Sequence, residues 1–144
     1  MKSPLKRSQV MASEKSRCVI LAERHPNLLE GIRGLLETMF ETVVMVADKH
    51  SLFEAVERIK PDLAVVDMSL ATSGEASIAR TISDSYPDLK LIILSVHDEP
   101  TAVDDVMSAG ASGFVLKRSL ATDLFKAVES IQQGRTFISA CVRG

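Results

Sequence analysis

The sequence predicts a doubly wound α/β sandwich built on a five-stranded parallel sheet. Three observations carry that expectation. Five short apolar runs recur without strict polar alternation, as in strands covered on both faces. Between them lie segments whose apolar residues repeat at helical spacing. The two patterns alternate five times, the order that gives a parallel sheet with helices on both sides.

The first run is "CVILA" (18–22). Leu28, Leu29, Ile32, Leu35, Leu36, Met39 and Phe40 then fall on one helical stripe. "VVMVA" (43–47) is the second strand, and Leu52, Val56 and Ile59 make the next stripe. That helix opens on "SLFE" (51–54), a capping-box pattern in which Ser51 and Glu54 satisfy free donors of the first turn. Pro61 stops it, ahead of "LAVV" (63–66). Pro87 stops the third helix, ahead of "LIIL" (91–94). Gly110 and Gly134 suit the left-handed residue after the fourth and fifth helices. Between those glycines lie "GFVL" (113–116) and the stripe Leu120, Leu124, Val128 and Ile131.

The chain's 144 residues are enough for one domain with a single core. A net charge of −2 excludes a general affinity for nucleic acid or membrane. The charge is uneven: residues 1–17 carry a net +4, so the remainder carries −6. That basic stretch lacks the apolar core of a signal peptide, and no run reaches membrane-helix length. Residues 1–16 read as a flexible basic tail, 17–134 as the folded domain, and 135–144 as a C-terminal extension or the start of a linker. Cys18 and Cys141 have no metal-ligand spacing and read as reduced thiols of a cytoplasmic protein.

In doubly wound sheets ligands bind beyond the carboxyl ends of the strands. There the first strand delivers Glu23, Arg24 and His25, and the third ends at Asp67. The fourth ends at Ser95 and the fifth at Lys117. Each has a plain reading alone: a turn aspartate, a strand-end hydroxyl, a solvated lysine. His25, before Pro26, reads as an exposed residue at a helix start, His97 as a loop residue and Cys18 as core packing. An acid, a hydroxyl and an amine ending consecutive strands together point to a site. No glycine-rich phosphate loop, nucleophile elbow or zinc cluster competes with it.

These stretches resemble the receiver domain of bacterial two-component response regulators over roughly residues 17–134. "PDLAVVDMSL" resembles the phosphoacceptor strand, "LIILSVHDE" the hydroxyl-switch strand and "AGASGFVLKRS" the lysine strand. "HPNLLEGIRGLLE" and "GRTFIS" resemble members that carry a LuxR-type helix-turn-helix output domain. The resemblance implies a flavodoxin-like fold and a role in phosphorelay signalling and transcription regulation, not enzymatic turnover. Asp67 would take a phosphoryl group from a histidine kinase or other phosphodonor. Ser95 would move to hydrogen-bond it, and Lys117 would pair with it. Phe114 matches the aromatic that turns inward on activation, and reads equally as a core residue. Mg²⁺ would be held by acids after the first strand, by Asp67 and by the Ser69 backbone carbonyl. DNA would be met only through an output domain absent from this chain, and no membrane is involved. A homodimer is expected, because "RTFISACV" beyond the last helix is apolar and needs cover.

Three departures from the family pattern matter. Two adjacent acids are usual after the first strand; Glu23 matches the first, and Arg24 replaces the second, the usual direct metal ligand. Lys117 is followed by Arg118 where proline is usual, which argues against a cis bond there. The loop after Asp67 lacks the usual proline, and its Gly74 stands one residue early. Glu23 and Asp67 against Arg24 and Lys117 give a formal pocket charge of zero, where −2 is usual. At ~4 Å and an effective dielectric of ~20, each unit of charge is worth on the order of 4 kcal/mol before desolvation. A hard dication should therefore bind weakly or not at all, with Arg24 lying where the cation would have been and pairing with Asp67.

Other readings are a pseudo-receiver that never takes phosphate and works by protein contact, or an Asp-nucleophile phosphohydrolase. The second needs an acid two residues after the nucleophile, where this chain has Ser69. A flavin or nucleotide carrier would need a glycine-bearing loop at "AERHPN".

Overall fold

The computed structural model describes residues 16–70 and 76–140. Its strands are β1 (Ser16–Ala22), β2 (Phe40–Val46), β3 (Leu63–Asp67), β4 (Lys90–Ser95), β5 (Gly113–Leu116) and β6 (Phe137–Ile138). They form one sheet in the order β2-β1-β3-β4-β5-β6, every pair parallel. The helices are α1 (Pro26–Glu37), α2 (Lys49–Ile59), α3 (Ala76–Ser85), α4 (Pro100–Ser108) and α5 (Leu120–Gln132). None of the described helices is long and apolar enough to cross a membrane.

Successive strand residues point to opposite faces. Val19, Leu21, Val65, Ile92 and Leu94 pack with α1 and α5. Ile20, Ala22, Val66 and Ile93 pack with α2, α3 and α4. With both faces covered, the inner strands are unbroken apolar runs, and each fully buried aliphatic side chain contributes about 1.5–3 kcal/mol. The chain departs from β1 toward β2 on one side and β3 on the other. This reversal opens a crevice beyond the carboxyl ends of β1 and β3.

Most of the expected punctuation holds. Gly110 and Gly134 have φ of +113° and +83°. At Gly110 a Cβ would also collide with the Ser83 side chain. Leu120, Leu124, Val128 and Ile131 are all buried.

Four local expectations need correction. Met39 and Phe40 lie beyond α1, which ends at Glu37, and Phe40 opens β2; both are buried all the same. The cap of α2 is Asp48, whose side chain accepts from the Ser51 N–H at 2.7 Å, so Ser51 lies inside the helix. Ile59 is exposed, not part of a buried stripe. The sheet has a sixth strand. Phe137 and Ile138 pair with Gly113 and Phe114 on the edge of the sheet, while the Ile138 side chain stays exposed. The expected basic tail up to residue 15, Gly74 and Cys141 lie outside the described residues.

Candidate functional site

The crevice is built by the residues that end or follow the strands. Asp67 is the last residue of β3 and Ser95 the last of β4. Lys117 follows β5 at the start of a short 3₁₀ turn, Lys117–Ser119. Glu23 follows β1, and its N–H donates to Val46 O at the end of β2 (3.1 Å). The sheet thus brings Glu23, Asp67 and Lys117 together from positions far apart in sequence.

Lys117 joins the two acids. Its Nζ lies 3.0 Å from Asp67 Oδ1 and 3.3 Å from Glu23 Oε1. Both carboxylates are buried, Glu23 at 0% and Asp67 at 2% exposure. Glu23 Oε1 accepts no well-aligned hydrogen bond, so the lysine holds it by charge. The other oxygen, Oε2, is met by His25 Nδ1 at 2.7 Å and by the His25 N–H at 3.3 Å. His25 sits at the cap of α1 with an exposed ring, as the sequence suggested, but that ring turns back onto the pocket.

Asp67 is fully engaged. The Ser69 N–H donates to Oδ1 at 3.2 Å and the Ser69 hydroxyl to Oδ2 at 2.7 Å. Burial pushes the Asp67 carboxyl up. The Ser69 hydroxyl, the Lys117 ammonium and the Ser69 N–H outweigh that and hold it below the usual carboxylate range. The contact of the Ser69 hydroxyl was not foreseen; a serine two residues beyond a strand-end acid is the one signal for it.

Arg24 does not pair with Asp67, contrary to the sequence expectation. Its Nη2 donates to the Ser69 carbonyl oxygen at 3.1 Å. Lys117 and Ser69 already occupy the aspartate, and the guanidinium meets the backbone beyond it instead. Glu23, His25 and Asp67 do place one potential ligand atom each within 4.8 Å of one another. Mg²⁺ favours oxygen ligands in near-octahedral geometry. Here an ammonium bridges the two carboxylates, and a guanidinium engages the carbonyl that would complete the set. Both carboxylates and that carbonyl are thus already met by cations of the chain itself.

The remaining residues lie at the rim or beneath it. Ser95 is buried, and its Oγ accepts from the His97 N–H at 2.8 Å, which holds it in its own loop. Arg118, at the position where proline is usual in the family, pairs with Asp98 at 2.9 Å and joins the loops after β4 and β5. The described peptide bonds are all trans. Phe114 has no exposure and lies in the core against α2, α3 and α4.

A parallel sheet of this order, with its crevice where the order reverses, is the flavodoxin-like doubly wound arrangement. Residues 19–129 match the response regulator receiver domain family, and the chain belongs to that family. It is 32% identical over 122 residues to the transcriptional regulatory protein DegU of Brevibacillus brevis, an alignment covering 83% of this chain and 52% of that one. The chain spans about half the length of the curated relatives it matches. Its fold superposes on the isolated receiver domain of RcsB from Salmonella enterica serovar Typhimurium with a TM-score of 0.78 at 28% identity, covering 85% of this chain and 92% of that one. A structure of two RcsB dimers bound to two parallel DNAs gives a TM-score of 0.76 at 26% identity, covering 89% of this chain and 66% of that one.

Proposed function

We propose that this chain is an atypical receiver in which Asp67 accepts a phosphoryl group and fixed cationic side chains stand in for most of the metal's charge. The observation that carries this reading is the Lys117 ammonium 3.0 Å from Asp67 Oδ1. A lysine so placed neutralises the carboxylate before transfer and pairs with the phosphoryl oxygens after it. The carboxylate attacks phosphorus, the donor's leaving group departs with the bonding electrons, and an acyl phosphate remains on Asp67. Without a metal to template donor and acceptor together, transfer is slow. The output is a change of surface, not turnover. Ser95 leaves the His97 N–H to meet the phosphoryl group, and the loop carrying both follows.

The phosphodonor is a histidine kinase or a small acyl phosphate. The chain self-associates as RcsB does and reaches DNA through an output domain. The deciding experiment is intact-mass spectrometry after acetyl phosphate treatment. One added phosphoryl group is expected, absent in Asp67→Ala. A gain that persists in Asp67→Ala rejects the assignment.

A second reading rests on Ser69, which, with Lys117, leaves neither Asp67 oxygen free. In a pseudo-receiver that closed network is permanent, and the domain acts by dimerisation or partner contact alone. No mass gain under any condition favours it.

A further inference from the structure

β6 is only two residues long, yet its bonds reach the residue directly before Lys117. The Phe137 N–H donates to Ser112 O at 3.1 Å, and the Ser139 N–H to Phe114 O at 3.0 Å. The next bond in this series uses a side chain. The Leu116 N–H donates to Ser139 Oγ at 3.0 Å. Both residues are buried, Leu116 at 0% and Ser139 at 2% exposure, so water does not replace that acceptor. Past Leu116 the backbone turns into the 3₁₀ segment, and Lys117 reaches across to Asp67 and Glu23.

We infer that Ser139 is a positioning residue for Lys117. Its hydroxyl fixes the end of β5 from which the lysine meets the two carboxylates, and so ties the pocket to the chain that continues beyond Ala140. Among the described residues no other group on the β6 side bonds Leu116, and an alanine at 139 would remove the acceptor of a buried N–H. The tie is mechanical in both directions. A shift of Lys117 toward a new partner draws on Leu116 and then on β6, and release of β6 loosens the lysine. The inference rests on this bond network and holds whether or not Asp67 takes phosphate.

The test uses the full chain and two NMR signals: the Lys117 ammonium and the Ser139 backbone N–H. Ser139→Ala should speed proton exchange at the Lys117 ammonium by about fivefold or more. Ser139→Thr, which keeps the hydroxyl, should restore the slow rate. A strand that merely covered an edge would leave the lysine signal unmoved. In the other direction, Asp67→Ala should speed exchange of the Ser139 N–H by a similar factor. The Asp62 N–H, bonded to Cys18 O at the other end of the sheet, should keep its rate. If Ser139→Ala does not fold, the Asp67→Ala arm decides alone. An unchanged Ser139 N–H in Asp67→Ala, or an unchanged Lys117 ammonium in folded Ser139→Ala, overturns the inference.

Discussion

Arg24 Nη2 donates 3.1 Å to the carbonyl oxygen of Ser69, two residues beyond Asp67. In the family pattern that carbonyl and the side chain at position 24 both serve the metal. Here one is a cation and engages the other. The guanidinium donor makes this a charge-assisted hydrogen bond. With Lys117 between the carboxylates, the pocket's two negative charges are balanced by the chain itself.

Lys117 should therefore be a stability residue as well as a signalling one. Lys117→Ala leaves two buried carboxylates side by side with no compensating ammonium. Breaking a buried pair in this way costs about 3–5 kcal/mol. Urea unfolding at neutral pH should show a loss of that size. A loss under about 1 kcal/mol, as for an exposed pair, would mean that the carboxylates are solvated.

The acid limb of stability should carry a signature of Asp67. Its carboxyl is held below the usual range in the folded chain, while the unfolded value is about 3.9. The folded state therefore binds fewer protons than the unfolded state in this window. The contribution is full above about pH 3.9 and is lost as pH falls through the folded value. A ¹³C titration of the Asp67 carboxyl should give a midpoint below about 3.9, and Asp67→Asn should flatten the stability curve below about pH 4. A midpoint above that value contradicts the hydrogen-bond account.

Ser69 should restrain Asp67 as a nucleophile. Its hydroxyl caps Oδ2 at 2.7 Å. Hydrogen bonds to a charged group are worth about 1.5–3 kcal/mol. Ser69→Ala gives up one of them and frees that oxygen. Labelling by acetyl phosphate should rise by about tenfold, equivalent to about 1.4 kcal/mol. Slower labelling would mean that the hydroxyl assists the transfer.

The inner strands were legible because burial on both faces leaves uninterrupted apolar runs such as "LAVV" and "LIIL". Asp67 and Lys117 were legible by position, as strand-end polar residues are few. β6 was not: two residues carry no periodicity, and only the edge of β5 makes them a strand. Asp48 displaced Ser51 as a cap because both residue types fit that role, and the helix starts three residues earlier than the capping-box pattern suggested. The partner of Arg24 was misread for a competitive reason. Charge alone sends it to Asp67, but Lys117 and Ser69 hold that carboxylate first. His25 is exposed at the start of α1 as read, but its contact with Glu23 had no signal in the sequence.

The central claim is that Arg24 takes the place of a metal ligand and makes the pocket hostile to a dication. Calorimetric titration of Mg²⁺ into the wild-type chain and into Arg24→Asp tests it most directly. Arg24→Asp removes the guanidinium from the Ser69 carbonyl and adds a carboxylate, changing the pocket charge from 0 to −2. Two charge units at ~4 Å and an effective dielectric of ~20 amount to several kcal/mol before desolvation. Wild type should show no binding below millimolar Mg²⁺, and Arg24→Asp should bind at least about a hundredfold more tightly, which is about 2.7 kcal/mol. Submillimolar Mg²⁺ binding by the wild type, or no gain in Arg24→Asp, would contradict the account.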